Sequence, residues 1–377
     1  MHRIALTGGP CGGKSTSINY LKEKLADLGF CVISVPEVAT RIIGSGLDPR
    51  FMEPEQFDPF EELLLDTQIS DEENYKRALV IKSTRVKNPV PENKRILICD
   101  RGCPDIKAYM DETAFYQMLR RKKLTMSDIR DLRYDAVIHL MTAAKGKEEY
   151  YTLENNPSRL EADPVLARAA DDKTLAAWDG HSHKIIIDNS TLFDGKLKRV
   201  LQAVQRIVGI PVSLEIERKF LLDGTTLPWI LPVPHQKIQI EQIYVADGSS
   251  GESRIRRRSQ DNEGSVYYET FKQPTESPMK RIETEQQIDA VTYNRKVKNA
   301  NPDCDIIRKN RYCFSHGNKY FELDIFTEPE RLRGLALLEI ELTEESEEIG
   351  DMPGWLGKIS EVTGDPRYSN FALAFRK

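Results

Sequence analysis

The sequence predicts two domains of different class. Residues 1–210 read as an α/β domain with a parallel sheet, and residues 211–377 as an α+β domain built on antiparallel strands. Three observations predict this. The chain has 377 residues, whereas single hydrophobic cores rarely grow past ~250–300. Apolar residues recur with helical spacing up to about residue 210 and with a period of two after Leu214. A glycine-rich phosphate-loop motif opens the chain between an apolar strand and an amphipathic helix.

In the first domain, Ile4–Thr7 is a short apolar strand. The helix Thr16–Leu28 follows, with Ile18, Leu21, Leu25 and Leu28 on one face. Further strands are expected at Phe30–Val35, Arg95–Cys99, Ala136–Met141 and Lys184–Ile187, with helical segments between them. This β-α-β order implies a parallel sheet covered on both faces. Residues 142–178 are charged and Ala-rich, with Lys145, Lys147, Arg159 and Arg168, and read equally as a helical lid or as an exposed helical excursion. A linker is expected near Gly209–Ser213.

Gly8-Gly9-Pro10-Cys11-Gly12-Gly13-Lys14-Ser15 matches G-x-x-x-x-G-K-[ST]. The glycines Gly8, Gly9, Gly12 and Gly13 let backbone N–H groups curl round phosphate oxygens, and the helix start at Ser15 and Thr16 adds its dipole. Lys14 reaches the β- and γ-phosphates, and Ser15 ligates Mg²⁺. Asp100 ends the third strand, where a carboxylate holds Mg²⁺ or its water, and Glu37 follows the second. Arg101 and Arg41 follow these acids and can neutralise transferring phosphate. The plainer reading of Glu37 is an i,i+4 helix ion pair with Arg41, worth only ~0.3–0.5 kcal/mol.

These segments resemble the P-loop kinase-like domain of nicotinamide-riboside-kinase and ATPase relatives, and most of all the two-domain TRPL-translocation-defect family. The likeness rests on Leu6–Lys14, Val35–Thr40, Cys99–Gly102, Ala177–His181 and Ile187–Asn189. It implies binding of GTP or ATP, with Asn189 in the loop that holds the purine.

The second domain alternates charged and apolar residues along its strands. Glu215, Glu217 and Lys219 share one face, as do Arg254, Arg256 and Arg258, then Thr270 and Lys272, then Arg281, Glu283 and Glu285. Lys309 with Arg311, Glu322 with Asp324, and Glu339 with Glu341 complete the set, while Ile216, Phe220, Ile255, Leu323, Leu338 and Ile340 point the other way. Eight such strands, each charged on one face, can form a solvated sheet or close into a barrel with a polar interior. Bases cluster on the middle strands and paired acids on the first and last. Closure would bring Glu215, Glu217, Glu339 and Glu341 together, which requires a divalent cation or protons, beside bases that grip a polyanion.

Leu214–Leu221 resembles the Glu-x-Glu-x-Lys signature of the CYTH, or triphosphate tunnel metalloenzyme, superfamily. Arg254–Arg258, Thr270–Lys272, Ile307–Arg311, Glu322–Asp324, Leu338–Leu342 and Glu361–Asn370 follow in that family's order, across residues 214–377. The resemblance implies an eight-stranded antiparallel tunnel that binds triphosphates with Mg²⁺ or Mn²⁺. Carried over, Lys219, Arg254, Arg256, Arg258, Lys272, Lys309 and Arg311 hold phosphate oxygens, and Glu215, Glu217, Glu339, Glu341 and Asp324 hold metal. Glu283, Glu285 and Arg281 read equally as internal ion pairs.

Composition narrows the functions. A net charge of −5 with 30% charged residues argues against a nucleic-acid binder working by bulk charge. No apolar run is long enough to span a membrane, the start has no signal-peptide layout, and six scattered cysteines suit reduced thiols in the cytoplasm. His181 and His183 are a minor candidate for a metal pair. The leading expectation is a nucleotide-binding P-loop domain fused to a metal-dependent triphosphatase acting on tripolyphosphate or a triphosphorylated organic substrate. The alternatives are a GTP-binding trafficking regulator whose tunnel takes an anionic lipid such as phosphatidic acid, and a class IV adenylate cyclase.

Overall fold

The computed structural model describes residues 1–84, 89–151, 163–210, 214–223, 231–246, 252–276, 280–317, 319–342 and 347–376. The side chains of Leu214, Glu215, Pro274, Lys280 and Arg281 lie outside this description, as do Arg159 and most of the expected linker, residues 211–213. The chain divides into two compact units, Met1–Val208 and Gly209–Lys377.

The first unit is built on five parallel strands: β1 (His2–Thr7), β2 (Cys31–Val35), β3 (Arg95–Asp100), β4 (Ala136–Leu140) and β5 (Lys184–Ile187), in the order β2-β3-β1-β4-β5. Both faces are covered, so the strands read as continuous apolar runs; Ile4, Leu97, Ile98, Val137 and Ile187 are fully buried. The helices are α1 (Lys14–Asp27), α2 (Val38–Gly44), α3 (Pro54–Thr84), α4 (Glu112–Arg121), α5 (Pro164–Ala177) and α6 (Phe193–Ile207). Register places the chemistry. Leu6 on β1 pairs with Asp100 on β3, and Val35 on β2 with Cys99. The residues that follow β1, β2 and β3 therefore emerge side by side at the carboxyl edge of the sheet, where ligands of open α/β sheets bind.

His181 is structural. Its Nε2 lies 3.0 Å from the Tyr134 carbonyl oxygen and its Nδ1 accepts from the His183 amide. Burial pushes its pKa down to about 3.

The second unit contains β6 (Leu214–Leu222), β7 (Gln236–Tyr244), β8 (Glu252–Ser259), β9 (Ser265–Pro274), β10 (Lys280–Ile288), α7 (Ala290–Val297), β11 (Ile307–His316), β12 (Lys319–Glu328), β13 (Ala336–Glu341), β14 (Ile359–Glu361) and α8 (Asn370–Ala374). The sheet runs β10-β9-β8-β7-β11-β12-β13-β6-β14, and β10 also pairs with β6. Strands β6 to β13 thus close into an antiparallel tunnel, which removes the exposed edges an open sheet would carry. The first half of β6 closes the ring with β10, at Ile216↔Lys280; its second half pairs with the short β14, at Leu222↔Ile359.

The tunnel inverts the usual barrel: charges face inward and apolar side chains outward. The outer apolar face is buried under its own jacket. Ile216, Phe220, Leu338 and Ile340 pack with Leu356 and Trp355, and Ile243 and Ile255 pack with Tyr293 of α7. One strand departs from the expected pattern. Cross-strand partners place Ile240, Gln242 and Tyr244 of β7 opposite Arg258, Arg256 and Arg254, on the interior face. Thus the interior face of β7 carries no charge, and the expectation of charge on all eight strands does not hold.

Candidate functional site

The first site grows from the loop between β1 and α1. Gly8 has φ +134, and a Cβ there would lie 2.1 Å from the Leu140 carbonyl oxygen; Gly13 has φ +89 and lies against the Phe193 ring. Only glycine fits such backbone at such contact. Gly13 caps α1 without any side-chain cap, so the orphan N–H groups of the first turn, at Ser15 and Thr16, are left to a ligand. Lys14 Nζ donates to the carbonyl oxygens of Gly8 (2.9 Å) and Gly9 (3.0 Å). Burial, helped by Arg101, lowers its pKa. The Gly9 N–H is committed differently from expectation. It donates to Asp171 Oδ1 at 2.7 Å, and that buried carboxylate also takes the Thr142 N–H and Lys145 Nζ. Asp171 is thus a clamp from α5 onto the phosphate loop.

A cavity of about 1260 Å³ extends from this loop to α2 and α3 and is lined by Lys14, Ser15, Glu37, Glu61, Asp100 and Arg101, among others. Glu37 Oε1 accepts from Arg101 Nε at 2.5 Å, and Glu37 Oε2 from the Thr40 hydroxyl at 2.6 Å. Burial raises the Glu37 carboxyl, but Arg101 and Lys14 outweigh it and hold the pKa at about 2. The plainer reading of Glu37, an ion pair with Arg41, does not hold; Arg41 bonds Asp71 instead. Asp100 is buried, and burial with nearby Glu37 pushes its pKa up to about 6 against the pull of Lys14. Arg101 adopts φ +68, a left-handed conformation that costs a non-glycine residue of order 1 kcal/mol and clusters at functional sites. Three buried polar atoms on this wall have no hydrogen-bond partner: Asp100 Oδ1, Arg101 Nη1 and Glu61 Oε2. Buried orphans are few in native proteins, and these three line one cavity.

Asn189 lines the same cavity, but its amide is used. Nδ2 donates to the carbonyl oxygens of Thr142 and Lys145, and Oδ1 accepts from Lys196 Nζ. It ties two loops together.

The second site is the tunnel interior. Lys219 stands opposite Glu339, and Glu217 opposite Glu341. Lys219 Nζ lies 2.9 Å from Glu339 Oε1 and 3.4 Å from Glu217 Oε1. Arg311 grips both oxygens of Asp324 at 2.7 Å, reaches Glu339 at 2.7 Å and bonds Glu322. Lys309 Nζ lies 2.5 Å from Asp324 and 3.2 Å from Asn370 Oδ1. Burial works against the charged forms of Glu339 and Asp324. The surrounding cations outweigh it, Lys219 foremost for Glu339 and Arg311 for Asp324, and hold both carboxyls below their usual range.

On β8–β10, Arg256 pairs with Glu285 at 2.6 Å, and the Thr270 hydroxyl donates to the same oxygen at 2.8 Å. Lys272 pairs with Glu283 at 2.9 Å, and Arg254 lies 3.7 Å from Glu283. Among the described side chains the tunnel is therefore polarised. The wall of β11, β12, β13 and β6 carries Lys219, Lys309 and Arg311 against Glu217, Glu322, Asp324, Glu339 and Glu341. The wall of β8–β10 carries Arg254, Arg256, Arg258 and Lys272 against Glu252, Glu283 and Glu285.

The profile of a family described as an AAA domain matches residues 3–195, just over half of the chain. The chain belongs to the AAA-domain family. No curated protein matches it. Among solved structures, the PH1012 protein from Pyrococcus horikoshii OT3 is 20% identical, with 34% of this chain and 77% of that one covered and a TM-score of 0.26. A conserved hypothetical protein from Pyrococcus furiosus is 21% identical, with 35% and 80% covered and a TM-score of 0.26. A putative adenylyl cyclase from Hippeastrum, described as having a dominant triphosphatase activity, is 17% identical, with 34% and 80% covered and a TM-score of 0.27.

The AAA domain offers hard oxygen donors at Ser15 and Asp100, and the partnerless Asp100 Oδ1 fits Mg²⁺, which usually takes one or two protein oxygens beside substrate phosphates. In the tunnel the donor type also fits Mg²⁺ or Mn²⁺, but preassembly does not. Among the described residues no three acids stand together as a metal centre. Glu339 and Asp324 are held by cations, Glu341 is exposed, and the Glu215 side chain lies outside the described residues. The expected convergence of four carboxylates is therefore not found among those described. No helix among the described residues is long and apolar enough to cross a membrane, and the six cysteines are not joined in disulfides.

Glu61 and Gln68 of the AAA domain escaped the sequence reading. A signal was there: Glu61, Gln68 and Glu72 fall at i, i+7 and i+11 along the buried stripe of Phe60, Leu64, Leu65 and Leu79. Polar residues on an apolar stripe mark either a network or a ligand. Glu72 is a network, bonded to Arg3, Arg133 and Tyr134. Glu61 faces the cavity.

Proposed function

We propose that the protein is a two-site phosphate enzyme: its AAA domain binds a purine nucleoside triphosphate with Mg²⁺, and its tunnel hydrolyses a triphosphate with Mg²⁺ or Mn²⁺. The tunnel reading is carried by one observation, a closed barrel whose interior has a base-rich wall facing an acid-rich wall. A polyanion and a cation each have a side to occupy. Arg254, Arg256, Arg258 and Lys272 would hold phosphate oxygens from one wall, and Lys219, Lys309 and Arg311 from the other. Glu217, Glu339 and Asp324, with Glu215, would hold the metal, which when bound polarises the phosphoryl oxygens and lowers the pKa of a bound water. The chain's own contribution is placed charge: cations fixed in a buried site stabilise the charge that develops on the transferring phosphoryl group. Since the acids are ion-paired to Lys219 and Arg311, phosphate and metal exchange partners with the same pairs, so each favours the other's binding.

The nucleotide reading rests on Gly8–Ser15 between β1 and α1 and on the orphan atoms of Asp100 and Arg101. The likeness to the TRPL-translocation-defect family supports GTP as one candidate; the anionic-lipid reading has no separate observation in its favour. Phosphate release from tripolyphosphate, GTP, ATP and thiamine triphosphate, each with Mg²⁺ or Mn²⁺, tests the proposal. Metal-dependent release from tripolyphosphate supports it, and no release from any of the four sinks it.

A further inference from the structure

The acids Glu283 and Glu285 were open between ion pair and function. Both lie on β10, within the base-rich wall. Glu285 holds Arg256, two strands away, and is itself held by Thr270 on the strand between them. Glu283 holds Lys272 directly opposite and approaches Arg254. So Arg254, Arg256 and Lys272, bases that would grip a polyphosphate on this wall, already have a carboxylate partner.

We propose that Glu283 and Glu285 are built-in counter-ions that compete with phosphate for Arg254, Arg256 and Lys272, and so select triphosphates over shorter phosphates. This rests on the tunnel reading. An intramolecular carboxylate competes at an effective concentration that a dilute anion cannot match. A ligand displaces it only by engaging several bases at once, across β8, β9 and β10 and onto Lys219 or Arg311. Tripolyphosphate has the length and charge to do this. Pyrophosphate engages fewer bases, and orthophosphate fewer still. Hydrolysis breaks one P–O–P bond, water supplying the oxygen and the two protons shared by the products, and leaves pyrophosphate and orthophosphate. Each product has lost part of its contacts, so Glu285 and Glu283 recover their bases and the products leave.

The test is calorimetric binding of tripolyphosphate and pyrophosphate to the full chain, with a fixed concentration of Mg²⁺, for wild type, Glu285→Gln and Glu283→Gln. Removing a competitor should tighten pyrophosphate at least tenfold, and tripolyphosphate by a smaller factor, so the preference for triphosphate narrows. Product inhibition by pyrophosphate should deepen in step. A carboxylate that merely holds the barrel gives the opposite sign: weaker binding of both ligands on substitution. If wild type binds tripolyphosphate but neither variant tightens pyrophosphate, the counter-ion proposal is overturned and the tunnel reading stands. If wild type binds no tripolyphosphate, both fall. Should one variant fail to fold, the other decides, because the two acids hold different bases.

Discussion

Lys219 of β6 stands opposite Glu339 of β13, with its ammonium 2.9 Å from the carboxylate. Arg311 reaches the same carboxylate from β11. Were Lys219 to turn to phosphate, as proposed, Glu339 would keep Arg311 as its partner. Lys219→Ala should raise the KM for tripolyphosphate about tenfold or more, the cost of one charge-assisted contact. Added Mn²⁺ should not restore it, because the defect is in phosphate binding. Steady-state kinetics at two Mn²⁺ concentrations check this; rescue by metal would move Lys219 out of the phosphate set.

Lys14 closes the phosphate loop on itself through Gly8 and Gly9. On the proposed function, its ammonium would move to the phosphates when nucleotide binds. Lys14→Ala should weaken binding of ATP or GTP with Mg²⁺ by at least tenfold in titration calorimetry on the full chain. Equal affinity in wild type and variant would show that the loop is not the nucleotide site.

Glu61 predicts a pH-dependent stability. Burial, opposed by Arg101, pushes its pKa up to about 8 in the folded unit, from an ordinary value of 4.5. Between those values the folded state holds a proton that the unfolded state has released. Stability from this group therefore falls as pH rises from about 4.5 towards 8, and the penalty is complete above that. Glu61→Gln removes the titration. It should raise the thermal midpoint of the amino-terminal unit at pH 7.5, and the gain should shrink towards pH 5. A gain that is equal at both pH values, or a loss at pH 7.5, would show that Glu61 is not a strained buried carboxyl.

How far these sites were legible in the sequence follows from what each residue needs of its neighbours. The phosphate loop was legible because its conformation demands glycine at Gly8 and Gly13 whatever the rest of the fold does. The inward charges of β6 and β8–β13 were legible because alternation along a strand fixes which residues share a face. β7 was misread, since its inward Ile238 and Ile240 look like any apolar strand, and only register shows that they face the tunnel. The partners of Glu37, Asn189 and Gly9 were not legible. Arg101, Thr142 and Asp171 reach them across the fold from 64, 47 and 162 residues away, and no local pattern encodes such contacts. The metal set was read as converging acids; among the described side chains, Glu339 and Asp324 are paired with bases.

The account turns on tripolyphosphate being hydrolysed in the tunnel rather than at the phosphate loop. The measurement that tests this most directly is metal-dependent phosphate release from tripolyphosphate by the full chain carrying Glu217→Gln, beside wild type and Lys14→Ala. Glu217 is part-exposed, 3.4 Å from Lys219 and opposite Glu341, so glutamine preserves its shape and removes one charge from the metal side. The rate should fall at least ~100-fold, as when one key electrostatic group is lost, with partial recovery in excess Mn²⁺, while Lys14→Ala hydrolyses tripolyphosphate as wild type does. Full activity in Glu217→Gln with loss in Lys14→Ala would place the chemistry at the phosphate loop and contradict the account.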